Sequence, residues 1–188
     1  HPHAVEVQPH QLGVVRPRAR RVEHELLAHR PAEQLVDGDA ANPAEEVVQR
    51  EVDGAVGSRT ARFYEPYADD PTTRGIIVTD PADLRRWMQG ADQAGLQVTA
   101  HAIGDEANDI VLDTMAAVAA ANGARDRRFR IEHVQHMKPH ALPRFKDQGI
   151  IASVQPYHAI DDGRWAVRRI GEERLNTSFA FGSLVRSG

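Results

Sequence analysis

From residue 80 to residue 155 the chain alternates between helical and strand patterns, and that alternation narrows the folds open to it. Asp80 and Pro81 supply an N-cap and a proline at the first helical position. Leu84, Trp87, Met88 and Ala91 then share one face before Gly95 breaks the period, so a helix is expected over 81–94. Leu96 to His101 reads LQVTAH, short and apolar with β-branched residues, as in a buried strand. Asp105 is expected to cap the next helix, whose stripe of Ile110, Val111, Met115 and Val118 runs to a terminating Gly123. Phe129 to Val134 (FRIEHV) is a second strand, Pro139 to Gln148 a helix stopped by Gly149, and Ile150 to Gln155 (IIASVQ) a third strand. Shorter helices are expected over 163–170 and 176–186. Strands separated by helices imply right-handed crossovers and a parallel sheet covered by helices, the α/β class. Spacing alone leaves open whether that sheet closes as a barrel or stays doubly wound.

Composition divides the chain near residue 50. Residues 1–50 lack Ser, Thr, Lys, Ile, Met and every aromatic residue, yet hold five of the 11 prolines and five of the 10 histidines. Prolines 2, 9, 17, 31 and 43 interrupt any long period, leaving room for short helices at about 19–29 and 31–36. This segment is expected to be a poorly ordered extension, with one folded domain over 51–188. Lys and Arg total 23 against 27 Asp and Glu, a net charge of -4, which gives no reason to expect nucleic acid or an anionic membrane as a partner. The absence of cysteine excludes disulfide scaffolds, thiolate zinc sites and cysteine nucleophiles, so His and carboxylates are the available metal ligands. No apolar run approaches the roughly 20 residues of a membrane span, and no signal segment is evident at the N-terminus. A cytoplasmic protein is expected.

The unusual polar residues fall at strand ends. His101 closes one strand, His133 the next, and Gln155 the third, with His158 just beyond in an expected loop. Ligands gather at the carboxyl ends of parallel strands in barrels and open sheets alike. His101 and His133 stand 32 residues apart, one strand–helix–strand period, so neighbouring strands about 4.8 Å apart would present both imidazoles at one edge. Neutral imidazoles there suit zinc, iron or manganese, and a bound water would be the reactive group. The plainer alternative is that each histidine ends a strand and hydrogen-bonds a neighbouring carbonyl.

The stretches DGAVGSRTARFYEPYADDPTTRG (53–75), HAIGDEAND (101–109), RIEHVQH (130–136) and SVQPYHAIDDGRW (153–165) resemble the amidohydrolase superfamily. Within it they are most similar to amidohydrolase family three, which includes N-substituted formamide deformylases and exoenzyme-regulatory-like proteins. The resemblance runs over about 52–188. It implies part of a distorted TIM-type barrel, about its middle to late strand–helix units, and hydrolysis of carbon–nitrogen bonds in small amide-type substrates with one or two divalent metals, zinc foremost and iron or manganese as alternatives. By that resemblance His101 and His133 are metal ligands after the fifth and sixth barrel strands, and His158 and Gln155 face the substrate. The family also uses a His-x-His pair on its first strand, a bridging lysine or glutamate on its fourth and an aspartate on its eighth. His1 and His3 do not match that pair, and Gln49 stands where many relatives place the lysine. Weak or absent activity is therefore expected, or alternatively a non-catalytic remnant that oligomerises or binds through strand edges near 47–53 and 150–155.

Other groups read as structural. Pro139 breaks any helical zinc cluster of His133, His136 and His140, so His136 and His140 are expected in solvent. Glu132 is expected to point away from His133 and to pair with an arginine. Gly54 and Gly57 lack the lysine of a phosphate loop. Arg125, Arg127 and Arg128 are expected to be a solvated turn.

Overall fold

The computed structural model describes residues 47–187, so the expected helices at 19–29 and 31–36 lie outside the described residues. Four strands form one parallel sheet in chain order: β1 (Val47–Glu51), β2 (Gln97–Ala102), β3 (Arg130–His133) and β4 (Ile151–Ser153). Helix α1 (Pro81–Gln93) joins β1 to β2, α2 (Asp105–Asn122) joins β2 to β3, and α3 (Leu142–Gln148), entered through a 3-10 turn, joins β3 to β4. The class is α/β, and the arrangement is consistent with part of a barrel.

Local signals in the chain account for most of these boundaries. The Asp80 carboxylate accepts from the Ala82 and Asp83 amides, and Pro81 opens α1. Gly149 ends α3 in the left-handed region at φ 64°. Asp105 does not cap α2. The cap is Gly104, and the Asp105 carboxylate instead accepts the Tyr64 amide at 3.0 Å and pairs with Lys138 at 3.2 Å.

After β4 the chain forms α4 (Pro156–Asp161), α5 (Ala166–Ile170), α6 (Glu172–Leu175) and α7 (Phe181–Ser187). His158 thus lies in a short helix, not a loop, because Pro156 presets its first turn. The helix expected from 176 starts five residues later. Residues 177–179 are used in pairing with the segment after β3, Met137 donating to the Thr177 carbonyl and Phe179 to that of Gln135.

The two faces of the sheet differ in chemistry. Val48, Val98, Ala100, Ile131 and Ala152 pack with Leu84, Met88, Val111, Leu112, Met115 and Phe145 of the helices in the main core. By register the other face carries Gln49 and Glu51 beside Thr99 and His101, then Glu132, then Ser153. Near the end of α1, Asp92 is buried and receives Asn122 of α2 and Arg125 and Arg127 of the segment that follows α2. Two of the three arginines expected in solvent therefore compensate a buried charge, which a lone aspartate there could not sustain.

Candidate functional site

The carboxyl ends of β1, β2 and β3 meet at His101 and His133, whose ring centroids are 4.5 Å apart at an interplanar angle of 67°. Simple strand alternation does not produce this pair. Register places His101 opposite Glu132 and Ala102 opposite His133, so an unbroken β3 would turn His133 toward the helices. The strand instead ends in a tight turn. His133 has φ 76°, and the Val134 amide donates back to the Glu132 carbonyl at 3.2 Å, the bonding pattern of the rare γ-turn. Val134, a β-branched residue, follows at φ 50° and is fully buried in the core. Such conformations cost on the order of 1–3 kcal/mol each and are held only by strong surroundings. Here the turn resets the alternation, so that Glu132 and His133 do not take opposite faces. Glu132 accepts from Thr99 at 3.3 Å on the His101 face and pairs with Arg130 at 2.6 Å, the arginine partner expected of it.

The surroundings of His133 disfavour its protonated form. Burial lowers its pKa, and the adjacent His101 and His158 lower it further. Its Nδ1 is buried without a hydrogen-bond partner. His158 stacks on it, with centroids 5.6 Å apart and planes 15° apart, and His158 Nδ1 lies 2.8 Å from the Gln135 amide nitrogen. Gln155 sits at the start of α4, where its amide nitrogen donates to the Ser153 carbonyl at 3.3 Å and its Oε1 is buried without a partner.

Asp53, two residues beyond β1, is a site residue that the sequence reading did not select. Its side chain is 0 % exposed and lies 3.6 Å from His101 Nε2. It accepts three backbone amides, Ile103 at 3.0 Å and Gly104 and Arg62 at 2.8 Å each. Burial raises its pKa to about 6, against the lowering effect of those amides and of His101. The Asp53-Gly54 dipeptide at the end of a strand was a usable signal, but it reads first as an ordinary turn. His101 Nε2 also meets the Gly54 carbonyl at 3.3 Å, so the carbonyl contact offered as the plainer alternative coexists with the imidazole pair.

The remaining candidates separate. His136 is buried, not solvated. Its Nδ1 bonds Ser178 Oγ at 2.7 Å, and Phe63 and Phe179 pack edge-on against the ring, because the chain doubles back over it at 177–179. His140 reaches Asp109 at 2.9 Å with its side chain 61 % exposed. Gln49 lies in β1 opposite Thr99. Among the described residues, no group of three or more His, Cys, Asp or Glu is placed to hold a metal ion. The donor chemistry of His101 and His133 fits a divalent ion as two of its ligands, with further ligands to come from elsewhere.

A family model described as "Amidohydrolase family" matches residues 26–188. The chain belongs to the amidohydrolase family. This amidohydrolase chain is 50% identical over 135 residues to Protein LONG AFTER FAR-RED 3 of Arabidopsis thaliana, covering 71% of the chain and 23% of that protein. It is 37% identical over 136 residues to the Putative amidohydrolase YtcJ of Bacillus subtilis (strain 168), covering 72% and 25%. Among solved structures it is similar to an uncharacterized metal-dependent hydrolase from Pyrococcus horikoshii OT3, with a TM-score of 0.68, 36% identity, and coverage of 76% of the chain and 28% of that structure. A counterpart from Pyrococcus furiosus gives a TM-score of 0.66 at 36% identity, covering 74% and 28%. The chain thus spans about a quarter of the length of these relatives. Among the described residues, no helix is long and apolar enough to cross a membrane.

Proposed function

We propose that this chain carries part of the centre of a metal-dependent hydrolase acting on carbon–nitrogen bonds, other than peptide bonds, in small amide-type substrates. The observation that carries this reading is the convergence of the His101 and His133 rings, 4.5 Å apart at the carboxyl edge of the sheet. His101 and His133 would hold the ion, zinc foremost and iron or manganese as alternatives. A bound divalent ion supplies polarisation of the amide carbonyl and an acidified water. The chain's own residues do the rest of the local work. Burial and two neighbouring imidazoles disfavour protonation of His133, which favours a lone pair for an ion. The turn after β3 fixes its direction. His158 and Gln155 are proposed to face the substrate. Two imidazoles leave an ion mostly hydrated, so the described residues alone would hydrolyse weakly or not at all. A cytoplasmic location is part of the proposal.

The test is metal content and turnover of the purified chain. Zinc is expected to be taken up by the parent in equilibrium dialysis and not by His101→Ala or His133→Ala, with slow or undetectable hydrolysis of N-formylated amines throughout. A parent that takes up no metal would count against the metal centre. Ordinary turnover that disappears in His101→Ala would overturn the expectation of weak activity.

A second reading, a binding or oligomerising module, draws on the sheet edges. Among the described residues, the outer edges of β1 and β4 have no partner strand. Beside β4 a groove of about 460 Å³ runs between Ile151, Phe145 and Val185. Such edges favour association. On this reading light scattering would show a dimer or larger species that dissociates when Ile151 is replaced by Lys, whereas a monomer at all concentrations would remove it.

A further inference from the structure

Three segments of chain meet at one buried carboxylate. Asp53 Oδ2 accepts the Arg62 and Gly104 amides, and Oδ1 accepts the Ile103 amide while standing 3.6 Å from His101 Nε2. The last distance is too long for a hydrogen bond and short enough for a strong charge interaction. The same nitrogen meets the Gly54 carbonyl at 3.3 Å. The Nε2 edge of His101 therefore confronts two oxygen acceptors. A proton on Nε2 is attracted there and a lone pair is repelled, which leaves the lone pair on Nδ1.

The surrounding backbone allows this geometry little freedom. A Cβ added at Gly54 would fall 2.2 Å from Thr60 Oγ1, and one at Gly104 would fall 1.9 Å from the Arg62 carbonyl oxygen. At Gly104 the loops after β1 and β2 are thus packed backbone to backbone beside the carboxylate, and at Gly54 the first loop is closed on its own Thr60 side chain.

We propose that Asp53 is a positioning residue that fixes the Nε2–H tautomer of His101 and so reserves Nδ1 for a ligand. The inference rests on the metal-site reading of His101 and adds to it which nitrogen is available and what sets that choice. An aspartate suits the position because an ionised carboxylate only accepts. Asparagine cannot replace it. With its oxygen toward Arg62 and Gly104, its NH2 would stand where Oδ1 was, facing the Ile103 amide and turning the positive end of an N–H dipole toward His101 Nε2. The negative charge that holds the proton on Nε2 would be gone, which favours the proton on Nδ1.

The experiment is a long-range proton–nitrogen correlation spectrum of the full chain, labelled with 15N-histidine and free of metal. It is recorded at alkaline pH, where imidazoles are neutral, with His101→Gln used for assignment. The parent is expected to show His101 mainly as the Nε2–H form, and Asp53→Asn to shift it toward Nδ1–H. Zinc affinity, measured by competition with a chromophoric chelator, should fall about tenfold or more in the variant. A merely structural role for Asp53 would leave the tautomer where it was. A parent His101 in the Nδ1–H form overturns the proposal, and so does an unchanged tautomer in a folded Asp53→Asn. If Asp53→Asn does not fold, the parent tautomer alone decides, Nε2–H supporting the proposal and Nδ1–H refuting it. A parent that binds no zinc but passes both tautomer tests refutes the metal reading and leaves the role of Asp53 intact.

Discussion

Gly104→Ala is expected to destabilise the fold by about 3 kcal/mol, the upper end for an overpacked site, and to lower the melting temperature by roughly 10 °C in a domain of this size. The reason is space, not backbone angle. Gly104 has φ -75° and ψ 160°, which any residue adopts, yet an added methyl would lie 1.9 Å from the Arg62 carbonyl oxygen and 2.4 Å from its carbon. Arg62 cannot retreat cheaply. Its amide is held by Asp53, and its guanidinium is held by Glu106 at 2.7 Å, itself in the first turn of α2. Thermal unfolding followed by circular dichroism checks this, with Gly163→Ala as control because nothing lies within 4 Å of a Cβ there. Equal melting temperatures for the two variants would mean that the loops after β1 and β2 are not in contact.

Acid should weaken the fold before its exposed carboxylates titrate, through His136. Burial pushes the pKa of this imidazole down to about 3, with the nearby Arg174 acting in the same direction. Unfolded, it has an ordinary value near 6.5. Below that value the unfolded state takes up a proton that the folded state refuses, so the stability conferred by the neutral ring is complete above about pH 6.5 and is lost as pH falls toward 3. The loss is roughly 1.4 kcal/mol for each pH unit, or nearly 3 kcal/mol two units below the unfolded pKa. Urea midpoints at neutral pH and near pH 5 measure it. His136→Asn retains a group that can reach Ser178 Oγ at the Nδ1 position but does not titrate. It should be less stable at neutral pH, because it leaves space between Phe63 and Phe179, and its stability should vary less with pH. An equal acid dependence in parent and variant would remove His136 as the cause.

Signals carried on contiguous residues were legible in the sequence. Asp80-Pro81 marks the start of α1, Gly149 the end of α3, and the β-branched run ending in His101 becomes β2. These depend on local caps, preset φ angles and periodicity, all of which act over a few residues. What failed depended on partners distant in the chain. His136 was expected in solvent because Pro139 rules out a helical cluster with His133 and His140, and it is buried by Ser178 and Phe179, some forty residues later. Asp105 has the composition of a cap but is engaged by Tyr64 and Lys138. Arg125 and Arg127 read as a basic turn until Asp92 of α1 is seen to need them. The site divides in the same way. The pairing of His101 with His133 followed from their spacing, whereas the γ-turn that makes the pairing possible leaves no mark in the sequence, since a β-branched residue such as Val134 is a rare occupant of positive φ. Asp53 was passed over because a carboxylate's importance here comes from three amides, one nine residues further along its own loop and two from the loop after β2.

The turn at His133 ties the closeness of the two rings to the integrity of one peptide unit. If that unit relaxed to extended geometry, the ring would swing to the opposite side of the sheet and its pairing with His101 would open. An ion gripped by both rings would therefore discriminate between the closed and relaxed turn, and its affinity would be repaid as rigidity at the tip of β3. On the proposed reading, chelation and local backbone order at this tip would be one equilibrium, so amide exchange at Val134 should slow in step with metal uptake.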